Sequence, residues 1–323
     1  MKHLIQSAIW GLAVGDALGV PFEFSNRLTL QANPVTEMMG GLMYRKPIGT
    51  WSDDTSMTLC LLDSLAHGYS PEDVMRRFAD WYYNDAYTAT GETFDVGRTC
   101  SAAISRFHVQ RLPAGECADT DENSNGNGAL MRILPLLFYL KNRYGDAFIH
   151  NEDAQVCIRE ITGITHGHPR CTMANGIYLS IAQKLAAGMP PVDAVRTGAE
   201  SALCAFERWD GFKNEAKFFQ RIREPERFSK LDHTEILSYG YVINTLEAAV
   251  WCLLTTDNYP ECVLKAVNLG CDTDTNAAVA GGLAGLCYGF DGIPSAWRVR
   301  LQNKLLIETL CNQFSDSLET EPI

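Results

Sequence analysis

The sequence predicts an all-α protein, and three observations predict it. Nearly every long segment places its apolar residues at helical spacing, and almost none shows the alternation of a half-buried strand. Helix start signals recur, as in Ser70-Pro71-Glu72-Asp73 ahead of Val74 to Phe78, where a capping hydroxyl, a first-turn proline and two acids coincide. The connections between these segments are short and carry Gly, Pro, Asn or Asp.

In chain order, the first apolar stretch, Ala8 to Val14, follows Met1-Lys2-His3 and has the outline of a short signal sequence. Asp16 interrupts it where an apolar core should continue, so it reads as a buried first helix. No apolar run approaches the roughly 20 residues that span a bilayer. Further helices are expected over 94–108, 128–143, 152–165, 170–187, 191–206, 239–255, 259–269, 274–289 and 294–312. Residues 207–231 form the most polar and least periodic stretch and read as a surface excursion. No linker or charge block divides the chain, so residues 1–323 are read as one domain with a single core.

Composition narrows the function. With 46% hydrophobic and 20% charged residues, the chain is that of an ordinary globular protein. A formal net charge of -12 argues against electrostatic capture of a nucleic-acid backbone. An anionic small ligand remains possible where helix N-termini, loop amides or bound cations supply local positive potential. Eleven cysteines, an odd number with no Cys-x-x-Cys pair, point away from a disulfide framework or thiolate zinc site and toward a reducing cytoplasm.

Two oxygen-rich clusters carry the chemistry. Ser52-Asp53-Asp54-Thr55 stands at the start of an apolar helix, and Asp272-Thr273-Asp274-Thr275-Asn276 precedes a helix rich in small residues. Helix capping accounts for one oxygen side chain at each start but has no need of paired carboxylates flanked by hydroxyls. Carboxylates and hydroxyls without thiolates or multiple histidines are the ligands hard divalent cations prefer, which points to Mg²⁺ or Mn²⁺. A third feature, Asn125-Gly126-Asn127-Gly128, is a glycine-bearing loop expected to open the 128–143 helix and to offer its amides to phosphate.

Taken together, the chain resembles the ADP-ribosylglycohydrolase family, which includes dinitrogenase reductase-activating glycohydrolase and the ADP-ribosylarginine hydrolases. The resemblance rests on Gly11 to Gly19, Pro21-Phe22-Glu23-Phe24, Trp51 to Thr55, Phe94-Asp95-Val96-Gly97, Gly126 to Arg132, Thr165-His166, Gly240-Tyr241-Val242 with Thr245 to Ala249, and Asp272 to Asn276, all in the family's order. It implies an orthogonal helical bundle with a binuclear metal cleft. It also implies two divalent cations held by Ser52, Asp53, Asp54, Asp272, Asp274 and Thr275. The family often has threonine at the position of Ser52, and a serine hydroxyl ligates equally well.

The same resemblance assigns catalytic work to Asp53, to Asp95 facing the scissile linkage, and to Glu23 near the metals; simple alternatives are a helix cap for Asp95 and an exposed loop acid for Glu23. It further implies that Gly126, Asn127 and Gly128 cradle the diphosphate, that His166 contacts a ribose and that Tyr241 stacks on adenine, while His168 reads as structural. The implied activity is hydrolysis of the bond between ADP-ribose and a modified protein side chain, arginine first. Competing readings are a hydrolase of serine-, nucleic-acid- or small-molecule-linked ADP-ribose, an immunity protein paired with a toxin, and a non-catalytic ADP-ribose binder.

Overall fold

The computed structural model describes residues 1–320. Among these, sixteen α-helices joined by turns and two longer loops carry the chain, with no strand and three isolated β-bridges, as the periodicity predicts. One continuous apolar cluster runs from Ile5 to Leu318.

Helix α1 (Lys2–Gly19) is long and apolar enough to cross a membrane, beyond what the sequence reading allowed, but its most apolar window is 89% buried inside the fold. After α2 (Arg27–Ala32) and a long turn-rich loop come α3 (Asp53–Ala66), α4 (Pro71–Asn84) and α5 (Arg98–His108). As its start signal predicts, α4 is capped by Ser70, whose hydroxyl accepts from Asp73 N–H at 3.2 Å. The helix expected over 128–143 is present only as α6 (Pro135–Tyr144). Pro135 has no N–H and sets the first turn, while residues before it run through tight turns.

Helices α7 (Glu152–Gly163), α8 (Pro169–Ala186) and α9 (Pro191–Phe206) follow the predicted register. The stretch 207–231 is not a loose excursion. It folds into α10 (Gln220–Arg223) and α11 (Pro225–Phe228) and buries Phe212, Phe219, Ile222 and Phe228. Its polar residues mask a narrow apolar face that sits on turns too short to give a helical period.

The last third comprises α12 (Val242–Leu254), α13 (Tyr259–Asn268), α14 (Thr273–Tyr288), α15 (Ser295–Arg300) and α16 (Lys304–Thr320). The single helix expected over 294–312 is broken at Leu301–Asn303, where Asn303 takes a left-handed φ of 46°. The break is anchored: Gln302 N–H donates to Gly49 O at 2.9 Å, and the buried Trp51 indole donates to Gln302 O at 2.9 Å.

The contact that positions everything else is α1 against α14. A Cβ added to Gly15 would lie 2.0 Å from Ala277 O, one on Gly11 2.4 Å from Gly281 O, and one on Gly19 2.3 Å from Asp274 Cα. Glycines at four-residue spacing on α1, answered by Gly281 and Gly285 on α14, let the two backbones touch. This draws Asp16, on α1, against the N-terminal turn of α14.

Candidate active site

Two helix N-termini meet beneath the main cavity, which encloses about 540 Å³, a size ordinary for a small-ligand cleft. Ser52 is the N-cap of α3 and Asp272 that of α14, so both sequence clusters stand where expected. Capping does not explain them. Asp272 caps nothing with its side chain, and the Ser52 hydroxyl sits 3.4 Å from Asp54 N–H, a weak cap.

The buried Asp16 takes over the anchoring. It accepts from Ser52 N–H at 2.9 Å, from Thr55 N–H at 3.0 Å and from the Thr55 hydroxyl at 2.6 Å, locking the first turn of α3 to α1. Carboxylate oxygens of Asp16, Asp54 and Asp274 all lie within 4.8 Å of one another. The Thr275 hydroxyl reaches Asp54 Oδ2 at 3.4 Å, and Asp53 faces the cavity one residue before.

Asp54 Oδ1 and Asp274 Oδ2 are buried and have no hydrogen-bond partner. Unpaired buried carboxylate oxygens are costly, and buried charges in proteins are paired or ligate metals. Burial pushes the pKa of Asp54 and of Asp274 well above the carboxylate range, reinforced by repulsion from Asp16 on Asp54 and from Asp95 on Asp274. Asp53 is raised in the same way, by burial and then by Asp95, and Asp16 is pushed up to about 6 by burial. Hydroxyls and carboxylates arranged around orphaned oxygens fit a hard divalent cation.

A second acidic group stands at the rim. Carboxylate oxygens of Glu23, Asp95 and Asp274 also lie within 4.8 Å of one another. Asp95 adopts a left-handed φ of 57°, and α5 starts only at Arg98 with Gly97 as its cap, so Asp95 is not a helix cap. Its side chain accepts from the Tyr44 hydroxyl at 2.9 Å, and Glu23 accepts from the same hydroxyl at 2.5 Å. Glu23 is buried rather than an exposed loop acid, and burial together with the Asp95 charge pushes it up to about 9.

The Gly126–Gly128 loop lines the cavity without opening a helix, a correction to the sequence reading. Asn127 N–H is spent on Gly240 O at 3.1 Å, and the Asn127 amide donates to Asp272 Oδ2 at 2.7 Å and to the Thr245 hydroxyl at 2.9 Å. Asn127 thus orients a carboxylate of the floor. Gly128 is required by space, since a Cβ there would meet Cys100 Sγ at 2.7 Å and the His166 ring at 3.0 Å.

His166 is fully buried against this loop and held down to about 3 by burial, hence neutral. Its Nδ1 pairs with the Thr165 hydroxyl at 2.8 Å, and that hydroxyl accepts from Arg132 at 2.8 Å. Because a guanidinium only donates, the Thr165 proton is free for Nδ1, which favours the tautomer with hydrogen on Nε2, beside the cavity. The buried Arg132 also donates to Gly128 O at 2.5 Å. His168 caps α8, accepting from Arg170 N–H at 3.2 Å, the structural role expected of it.

Bridged to Gly126 on the same wall of the cavity, Tyr241 is half-buried, its hydroxyl accepting from Arg170 at 2.9 Å. Arg170 donates as well to Glu215 at 2.6 Å and Glu122 at 3.0 Å and lies 3.7 Å from the Phe218 ring centroid. Sequence reasoning missed Asp16, Tyr44, Arg132 and Arg170 as parts of this site. A lone acid in an apolar helix was a readable signal for Asp16; nothing local marks Tyr44 or Arg170, whose partners are remote in sequence.

Comparison with known proteins bears on the family and the fold. Residues 2–322 match the ADP-ribosylglycohydrolase family model. The chain is 30% identical to an ADP-ribosylarginine hydrolase of Serratia proteamaculans (strain 568), aligning 96% of this chain with 78% of that protein. It is 31% identical to the ADP-ribosyl-[dinitrogen reductase] glycohydrolase of Rhodospirillum rubrum, over 92% of this chain and 90% of that one. A solved ADP-ribosylglycohydrolase-related protein complex contains a chain that superposes with a TM-score of 0.74 at 31% identity, covering 98% of each. The helical fold, the ordered motifs and these likenesses together place the chain in the ADP-ribosylglycohydrolase family of hydrolases.

Proposed function

We propose that this protein hydrolyses the glycosidic bond linking ADP-ribose to an arginine side chain of a modified protein, releasing ADP-ribose and the restored arginine. The observation that carries the metal dependence is the pair of buried, unpaired oxygens on Asp54 and Asp274 beneath the cavity. Two divalent cations, Mg²⁺ or Mn²⁺, held by Ser52, Asp53, Asp54, Asp272, Asp274 and Thr275, would orient the ribose hydroxyls and acidify water.

The remaining chemistry falls to the chain's own groups. Asp95 and Glu23, tied by Tyr44, face the place where a cationic guanidinium would leave; a carboxylate there accepts hydrogen bonds from the guanidinium and returns a proton to the departing nitrogen. Asp53, exposed to the cavity beside the floor, is the alternative group to take a proton from water. The His166 Nε2–H donates to a ribose or phosphate oxygen, and the loop at Gly126 and Gly128 leaves backbone room for the diphosphate. Tyr241, its hydroxyl fixed by Arg170, offers a ring face to the adenine. The arginine linkage is supported by the names of the relatives and by the double-carboxylate rim suited to a guanidinium. Unpaired cysteines throughout the described residues agree with a reducing, cytoplasmic setting.

The test is release of ADP-ribose from arginine-linked and serine-linked modified proteins with Mn²⁺, with Mg²⁺ and with chelator. Metal-dependent release from the arginine substrate is expected; release from the serine substrate alone would reassign the linkage.

A further inference from the structure

Twelve large apolar side chains are exposed among the described residues, and six of them, Phe24, Leu28, Leu42, Met43, Leu237 and Tyr239, come from segments that lie together at one side of the cavity mouth. The backbone shows this adjacency. Phe24 N–H donates to Cys271 O at 2.7 Å, Met43 N–H to Pro21 O at 3.3 Å and Asp272 N–H to Ser238 O at 3.1 Å. Arg27, beside Leu28, donates to Ile236 O at 2.6 Å and to the Ser238 hydroxyl at 3.0 Å, fastening α2 to the 236–238 segment. Glu23 and Gly240, which line the cavity, are the chain neighbours of Phe24 and Tyr239, so the apolar surface continues directly from the rim.

Burial in the core does not account for these side chains. Phe24 and Leu42 hold left-handed φ values of 61° and 50° while 64% and 56% exposed, so each combines backbone strain with apolar exposure. Single exposed apolar residues need no explanation, whereas a contiguous group beside a cleft marks a contact surface.

We infer that this surface docks the polypeptide that carries the modified arginine, and that it selects acceptor sites flanked by apolar residues. The inference rests on the arginine-linkage reading and deepens it. An arginine whose anomeric bond lies at the Glu23–Asp95 rim has its backbone one side-chain length outside the mouth, against Phe24 and its neighbours. The chain's charge of -12 and the acidic rim hold the guanidinium end, and the apolar residues beside them receive the flanking side chains.

The test compares kcat/KM on three substrates: ADP-ribosylagmatine, an ADP-ribosylarginine peptide flanked by leucine and phenylalanine, and the same peptide flanked by glycine and serine. The wild type should favour the apolar-flanked peptide about five- to tenfold, through KM. Phe24→Ser with Tyr239→Ser, and separately Leu42→Ser with Leu237→Ser, should erase the preference and leave ADP-ribosylagmatine turnover unchanged. Equal wild-type turnover of both peptides, or a preference that survives both double variants, overturns the docking surface while leaving the linkage intact. Failure to hydrolyse any of the three overturns the arginine reading and the docking inference with it.

Discussion

The floor and the rim of the cleft are built on different principles. The floor, with Asp16, Asp54 and Asp274, stands on helix ends pressed together by glycines, and those three side chains are almost fully buried. The rim is made of turns, with Phe24, Leu42, Arg45 and Asp95 at positive φ, and is tied by long-range side-chain bonds through Tyr44 and Arg170. Rigid helix packing fixes charges that must sit within a few ångströms of a cation. Loops spanning remote segments shape the part that meets a variable acceptor.

The largest expected effect attacks the floor. Asp274→Ala should lower turnover about a thousandfold, as several kcal/mol of metal-dependent stabilisation are lost. In chelator the same variant should melt no lower than the wild type, because it removes a buried carboxylate with one unpaired oxygen. A melting temperature well below wild type in chelator would show that the carboxylate serves the fold instead. Next, Gly15→Val drives a side chain into the α14 backbone and should cost about 3 kcal/mol or more in urea unfolding; a loss below about 1 kcal/mol would mean the helices can separate and that the floor is not held by close approach.

Rim substitutions should be milder and should separate binding from chemistry. Arg170→Ala releases Tyr241 and leaves Glu215 without its partner, and should raise KM about tenfold with little change in kcat, with Arg170→Lys recovering part of the loss. Tyr44→Phe removes the hydroxyl shared by Glu23 and Asp95 and should lower kcat about fivefold with KM nearly unchanged. An effect confined to KM would place Tyr44 in binding.

A separate expected effect is on stability against pH. In chelator, carboxyl groups raised in the folded state bind more protons than in the unfolded chain, so stability is greatest near the ordinary carboxylate range and falls as pH rises. The window runs from about 4, the unfolded value, through about 6 for Asp16 toward about 9 for Glu23. Saturating Mn²⁺ should flatten or reverse that slope, since a cation favours the ionised carboxylates.

The same contrast governs what the sequence made legible. Apart from Asp16, the floor could be read because Ser52 to Asp54 and Asp272 to Thr275 are contiguous runs of unusual composition at helix starts. The helical class and most helix positions followed from periodicity. The rim could not be read as well. Tyr44 sits in a loop with no period, and its partners Glu23 and Asp95 lie well before and after it. Arg170 stood only as the first residue of the helix expected over 170–187, and the apolar side of 207–231 was hidden among its charges. The false helix over 128–134 arose because Ala129 to Leu134 is apolar enough for helix yet is held in turns by bonds to the Asn127 carbonyl and from the Arg132 guanidinium.

The most direct test of the central claim is titration of Mn²⁺ into chelator-treated protein by calorimetry, for wild type and for Asp274→Asn. Two bound equivalents in the wild type, with at least one lost or greatly weakened in the variant, is the predicted result. Absence of binding in the millimolar range, or binding indifferent to the substitution, would contradict the assignment of these orphaned oxygens to a cation.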